Sequence, residues 1–152
     1  MGYAGQLLIA DELPATVTSV GANGNTITST SWAVLPGGSV TAVMTNPSAT
    51  RNMVTQIDFG AEATASASDV RLGVGLSGGM TVAIGSVEPS WAYRVWTASS
   101  VVATYTVTIP VVIPAGASAV TATLYAYRPV ASGSQNIGYP AIIWTPLRYA
   151  MP

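Results

Sequence analysis

Histidine, cysteine and lysine do not occur in this chain of 152 residues. Without His, the commonest general base and the commonest transition-metal ligand are gone. Without Cys there is no disulfide framework, no thiolate metal site and no thiol nucleophile. Without Lys, Schiff-base chemistry and Ser–Lys dyads are excluded. Charge is scarce too. Five Arg and six acidic residues make up 7% of the chain, where a soluble domain carries about 25%. A compact chain of this mass exposes roughly 7,000 Å², so it offers about one charge per 650 Å². A free monomer with so bland a surface is poorly protected against association. The expectation is that copies of the chain, or a larger assembly, cover much of the outside.

No basic patch exists, so nucleic acid is not an expected partner. Mean hydropathy is +0.46, yet no apolar run approaches the roughly 20 residues of a membrane-spanning helix, and membrane insertion is not expected. The opening residues lack a basic region and hold an apolar run of only four, so they do not read as a signal peptide.

What the chain does have is Thr, Val, Ser and Ala, punctuated by 15 Gly and 10 Pro. Thr and Val suit a pleated, half-buried surface. No segment beyond about a dozen residues carries a helical apolar stripe. The expected fold is an all-β antiparallel sandwich, jelly-roll-like, over residues 15–152, with a short arm at 1–14. Strands are expected at 15–20, 26–35, 39–45, 52–62, 70–76, 80–84, 101–109, 118–128 and 141–149. The Asn23-Gly24 pair reads as a hairpin between the first two. Ser77-Gly78-Gly79 reads as a second hairpin. Residues 87–99 and 130–136 read as irregular, and one short helical turn is expected over 6–13. Pro110 and Pro114 place their segment at a sheet edge or a bulge.

The catalytic menu is short. Of the six acids, Asp58 and Glu62 share a parity and would face the same way on a strand, about 13 Å apart. That is outside the spacing of a glycosidase pair. No calcium loop and no phosphate loop are present. No catalytic residue, metal ligand or cofactor site is assigned, and the chain is expected not to be an enzyme. The one segment that invites a binding role is Trp91, Tyr93, Arg94 and Trp96. Aromatic rings beside an arginine suit stacking on host glycan or anchoring a protein partner. Tyr125, Tyr127, Tyr139 and Trp144 are candidates to extend that surface.

Three short stretches carry a resemblance. The opening Tyr3-Ala-Gly-Gln-Leu-Leu-Ile-Ala-Asp-Glu-Leu13-Pro14 resembles the lead-in of many tail-associated proteins of phages that infect actinobacteria. Ile9 stands where that lead-in usually has Thr, and Pro14 where Asn is common. The closing Tyr139-Pro-Ala-Ile-Ile-Trp-Thr-Pro-Leu-Arg-Tyr149 and the segment Val112-Ile-Pro-Ala-Gly116 resemble jelly-roll strands of the same proteins. The resemblance implies a virion structural protein, a homotrimer similar to fibre tips, knobs or capsid spikes. It implies attachment to another virion protein, of tail or capsid, through Leu7, Leu8, Ile9 and Leu13 of the arm. The tail-side role is the first expectation, a capsid decoration protein the second, and a stand-alone carbohydrate-binding module the third.

Overall fold

Two antiparallel sheets pack face to face in the computed structural model, which describes residues 12–65, 70–82, 93–96, 99–129 and 135–151. The strands are β1 (Val17–Val20), β2 (Asn25–Thr26), β3 (Ala33–Val34), β4 (Thr41–Met44), β5 (Met53–Ala65), β6 (Val70–Gly78), β7 (Tyr93–Trp96), β8 (Ser99–Ile113), β9 (Val120–Tyr127) and β10 (Gln135–Tyr149). The first sheet runs β1-β10-β5-β8, with β2 also on β10. The second runs β3-β9-β6-β7, with β4 also on β9. The protein is therefore a β-sandwich, as the residue pattern requires. No helix occurs among the described residues.

Alternation builds the core. On β5, Met53, Thr55, Ile57, Phe59 and Ala61 are buried while Val54, Gln56, Asp58, Gly60 and Glu62 face outward. Opposite them, β9 buries Val120, Ala122, Leu124 and Ala126 and turns Thr121, Thr123, Tyr125 and Tyr127 out. The first sheet contributes the bulk, with Trp144, Phe59, Ile57, Ile113 and Ile142 almost fully enclosed. Against it, β9 presents two alanines, one valine and one leucine. The bulkier side chains of the first sheet therefore meet mostly smaller ones on β9, while Leu72 and Met44 fill the core from β6 and β4. Each fully buried Leu, Ile or Phe stabilises the fold by about 1.5–3 kcal/mol.

Several expected boundaries are corrected. Asn23-Gly24 is not a hairpin. β1 and β2 lie on the same side of β10 and run the same way, pairing Val20 with Ala141 and Asn25 with Ile137. The chain steps out at 21–24 to pass a bulge in β10, where the register on β5 shifts between Gly138 and Ala141. The expected strand 26–35 is instead a crossing from one sheet to the other, because Thr26 pairs with β10 and Ala33 with β9. Ser29 Oγ donates to the Ser31 carbonyl (2.6 Å) within that crossing. Residues 35–40 loop out between β3 and β4, both of which pair with β9. Ser77-Gly78-Gly79 does reverse the chain, and among the described residues the returning segment bridges Leu76 with Val82; the rest of the expected strand, 83–84, lies outside them. Residues 93–96, expected to be irregular, form β7, and Gln135 and Asn136 begin β10. β8 runs straight through Pro110, which is tolerated because β8 is an edge strand. The helical turn expected over 6–13 lies outside the described residues except at Glu12 and Leu13, which are not helical.

Candidate functional site

Of the binding residues expected from the sequence, only some fall among the described residues. Leu7, Leu8 and Ile9 of the arm lie outside the described residues. Leu13 is half-buried and packs on the domain's own core. Next to it, the Glu12 carbonyl accepts a hydrogen bond from the Tyr149 hydroxyl (3.2 Å). Trp91 is outside the described residues. Tyr93, Arg94 and Trp96 are on β7, at the edge of the second sheet, where their register partners are Gly73, Leu72 and Val70. Tyr93 and Arg94 are adjacent positions and so take opposite parities of the strand.

Of the aromatics proposed to extend that surface, Trp144 is fully buried in the core of the other sheet. Its Nε1–H donates to Thr55 Oγ1 (2.8 Å), whose own hydroxyl donates to the Val111 carbonyl (2.8 Å). Tyr125 and Tyr127 are half-buried on the outer face of the second sheet. There Tyr127 accepts a hydrogen bond from Arg71 Nη1 and stacks edge-on with Trp32, ring centroids 4.5 Å apart.

The remaining aromatic, Tyr139, leads to a different place. It is 53% exposed and occupies the left-handed region at φ 46°, the one described non-glycine residue to do so. That conformation costs about 1–3 kcal/mol in a non-glycine residue. Pairing on both sides holds it there, Gly138 with Glu62 and Ala141 with Gly60. The bulge aims Tyr139 over the outer face of the first sheet, into the lining of a cavity of about 220 Å³. β5 supplies Asp58, Gly60 and Glu62 to that cavity, β8 supplies Thr104 and Thr106, and β10 supplies Ala141 and Ile143. The registers bring these residues together. Gly60 lies between Ala141 and Thr106, and Glu62 lies beside Thr104.

The two carboxylates differ in their surroundings. Asp58 is held by Thr108 Oγ1, which donates to its Oδ1, and by Gln56 Nε2, which donates to both oxygens at 3.1 and 3.0 Å. Glu62 has no side-chain hydrogen bond to a described residue. β5 is paired without a shift from Met53 to Ala63 on β8, so the strand rise keeps positions 58 and 62 about 13 Å apart. A glycosidase pair needs its carboxyl groups within roughly 5–9.5 Å. No three acidic residues gather to hold a metal among the described residues.

Sequence reasoning placed Asp58 and Glu62 on one face but could not supply Tyr139, Thr104 and Thr106 beside them. The only local sign was Gly138 next to a tyrosine and a proline, a bulge signal within a strand. Compared with known proteins, the chain matches no family model and no curated sequence.

Proposed function

We propose that this chain is a non-enzymatic structural protein of a phage virion, a homotrimeric module on the tail side attached to another virion protein through its N-terminal arm. The supporting observation is the outer face of the second sheet. Val34 and Val43 are exposed there beside Thr41, Thr121, Thr123 and Tyr125. No carboxylate lies on that face among the described residues, and its one arginine on a central strand, Arg71, is engaged with Tyr127. A neighbouring copy could cover such a face without stranding a charge.

Two further arginines are also engaged. Arg51 lies 4.6 Å from the Tyr149 ring centroid, and Arg128 donates to the Thr28 carbonyl (3.1 Å) and to Gln135 Oε1 (3.2 Å).

The jelly-roll assignment belongs to the same proposal. Counting β1/β2 as one interrupted strand and β3/β4 as another leaves eight strands. Their order is then first-eighth-third-sixth in one sheet and second-seventh-fourth-fifth in the other. Two nested Greek keys have that order, an architecture used by viral capsid and lectin domains. The resemblance at 3–14, 112–116 and 139–149 supports the virion assignment over other users of the fold.

Light scattering behind size-exclusion chromatography tests the trimer, and copy number in purified particles separates the tail from the capsid. A handful of trimers per particle fits the tail-side role. Tens to hundreds of copies would replace it with a decoration protein. A monomer absent from particles would overturn the proposal in favour of a stand-alone glycan-binding module.

A further inference from the structure

We infer that the cavity on the outer face of the first sheet is a binding site for a single neutral or amino sugar ring, with Tyr139 as the stacking surface and Glu62 as the hydrogen-bond acceptor. The inference stands apart from the virion assignment and would hold for a monomer.

A pyranose presents an apolar C–H face and a rim of hydroxyl donors. The cavity offers the complement. Tyr139 is the exposed aromatic at its rim, on a bulge that the flanking pairs fix. Glu62 has no hydrogen bond to a described residue, so both its oxygens are open to a ligand's hydroxyls. The exposed Thr104 and Thr106 lie in adjacent outward rows on β8, and each hydroxyl can donate or accept. Gly60 carries no side chain between the two carboxylates, so the space between them stays open. Asp58 is already fixed by Thr108 and Gln56 and forms a rigid wall.

Size and charge narrow the ligand. The volume of about 220 Å³ is below the roughly 300–1,000 Å³ of sites for drug-sized molecules, which points to one ring or one unit of a chain. Among the described residues, two carboxylates line the cavity and no cation does. Arg148 pairs with Val54, four residues along β5 from Asp58, so the two backbone positions are about 13 Å apart. A uronic acid or a sugar phosphate is therefore repelled, while a hexosamine ammonium is favoured.

So small a ligand implies a dissociation constant on the order of 1 mM. Saturation-transfer NMR on the full chain with glucose, galactose, N-acetylglucosamine, glucosamine and glucuronate tests the site. At least one of the first four should bind and glucuronate should not. Glu62→Gln keeps the side-chain size, and Tyr139→Gly removes the ring while relieving the left-handed backbone. Each should weaken binding by about tenfold or more, the first through loss of a hydrogen bond to a charged group and the second through loss of the stacking ring, with the unfolding midpoint no lower than wild type. Three results would overturn the site: no transfer to any sugar at about ten times the expected constant, binding unchanged in both variants, or binding abolished instead by Tyr93→Ala with Trp96→Ala.

Discussion

Thr55 shows how closely a core hydroxyl can be tied into a sandwich of this kind. It is fully buried, accepts from Trp144 Nε1 and donates to the Val111 carbonyl, so one side chain links β10, β5 and β8. Thr55→Val preserves the shape but leaves the indole N–H without a partner in the core. A buried donor left unsatisfied costs about 1–3 kcal/mol. The urea midpoint should fall accordingly with the slope of the transition unchanged. Adding Trp144→Phe to Thr55→Val should cost less than the sum of the two single changes, because the same hydrogen bond is counted once in each. Additive losses would show that the relay contributes nothing. None of this was legible in the sequence. Thr55 shares a parity with Met53, Ile57 and Phe59, which marked it as inward, but its partner lies 89 residues away.

At the scale of elements, the alternating patterns of 52–62 and 118–128 were legible because each strand keeps one unbroken parity over its length, and 106–109 continue theirs in the same way. The places that misled were where a strand is interrupted without reversing. Asn23-Gly24 has hairpin chemistry, yet the neighbouring strand bulges at Tyr139 and the chain only detours around it. A bulge is a relation between two strands far apart in the chain, here Gly138 on β10 and Glu62 on β5, and local turn residues cannot report it. The cavity was hidden for the same reason, since its walls come from three strands whose alignment the bulge sets.

Turn glycines give a direct test at this scale. Gly24 and Gly78 both have positive φ, 80° and 94°. A Cβ at Gly24 would meet nothing within 4 Å, whereas one at Gly78 would approach the Ala119 carbonyl oxygen to 2.3 Å. Gly24→Ala should therefore lower stability by about 1–2 kcal/mol, the left-handed backbone penalty alone. Gly78→Ala should cost distinctly more, because backbone must move as well. Equal losses in thermal unfolding would mean that the second turn is pliant.

The arm boundary is a second test. Removing residues 1–11 spares the Leu13 packing and the Tyr149–Glu12 hydrogen bond, and removing 1–14 deletes both. The longer truncation should be less stable by about 1–2 kcal/mol, since a half-buried leucine gives part of the 1.5–3 kcal/mol of full burial. If the arm attaches the protein to the virion, both truncations should fail to incorporate while remaining folded. Incorporation of either one would sink the attachment role.

For the whole molecule, the scarcity of charge sets the conditions under which assembly can respond to its surroundings. A trimer closed over the second sheet's outer face would use valine, threonine and tyrosine contacts. Such an interface is not held by ion pairs, so raising salt from low to molar concentration should not dissociate it, and excluded salts should strengthen it. No histidine or cysteine is present to titrate near neutrality, so the native mass should stay flat between pH 6 and 8. The face itself can be probed with Val43→Arg, which places a cation at a position 48% exposed. In the isolated domain that change should alter stability by no more than about 0.5 kcal/mol, as surface substitutions do. Between copies, it would bury an unpaired guanidinium at each contact, which costs several kcal/mol. Native mass should fall from trimer to monomer with the far-ultraviolet spectrum unchanged. A variant that remains trimeric would move the interface off this face. If the interface then lay over the first sheet instead, the sugar site would be covered in the trimer, and sugar binding would fall as protein concentration drives assembly. Titrating sugar against dilute and concentrated protein separates the two arrangements, because with the second sheet at the interface the affinity is the same at both concentrations.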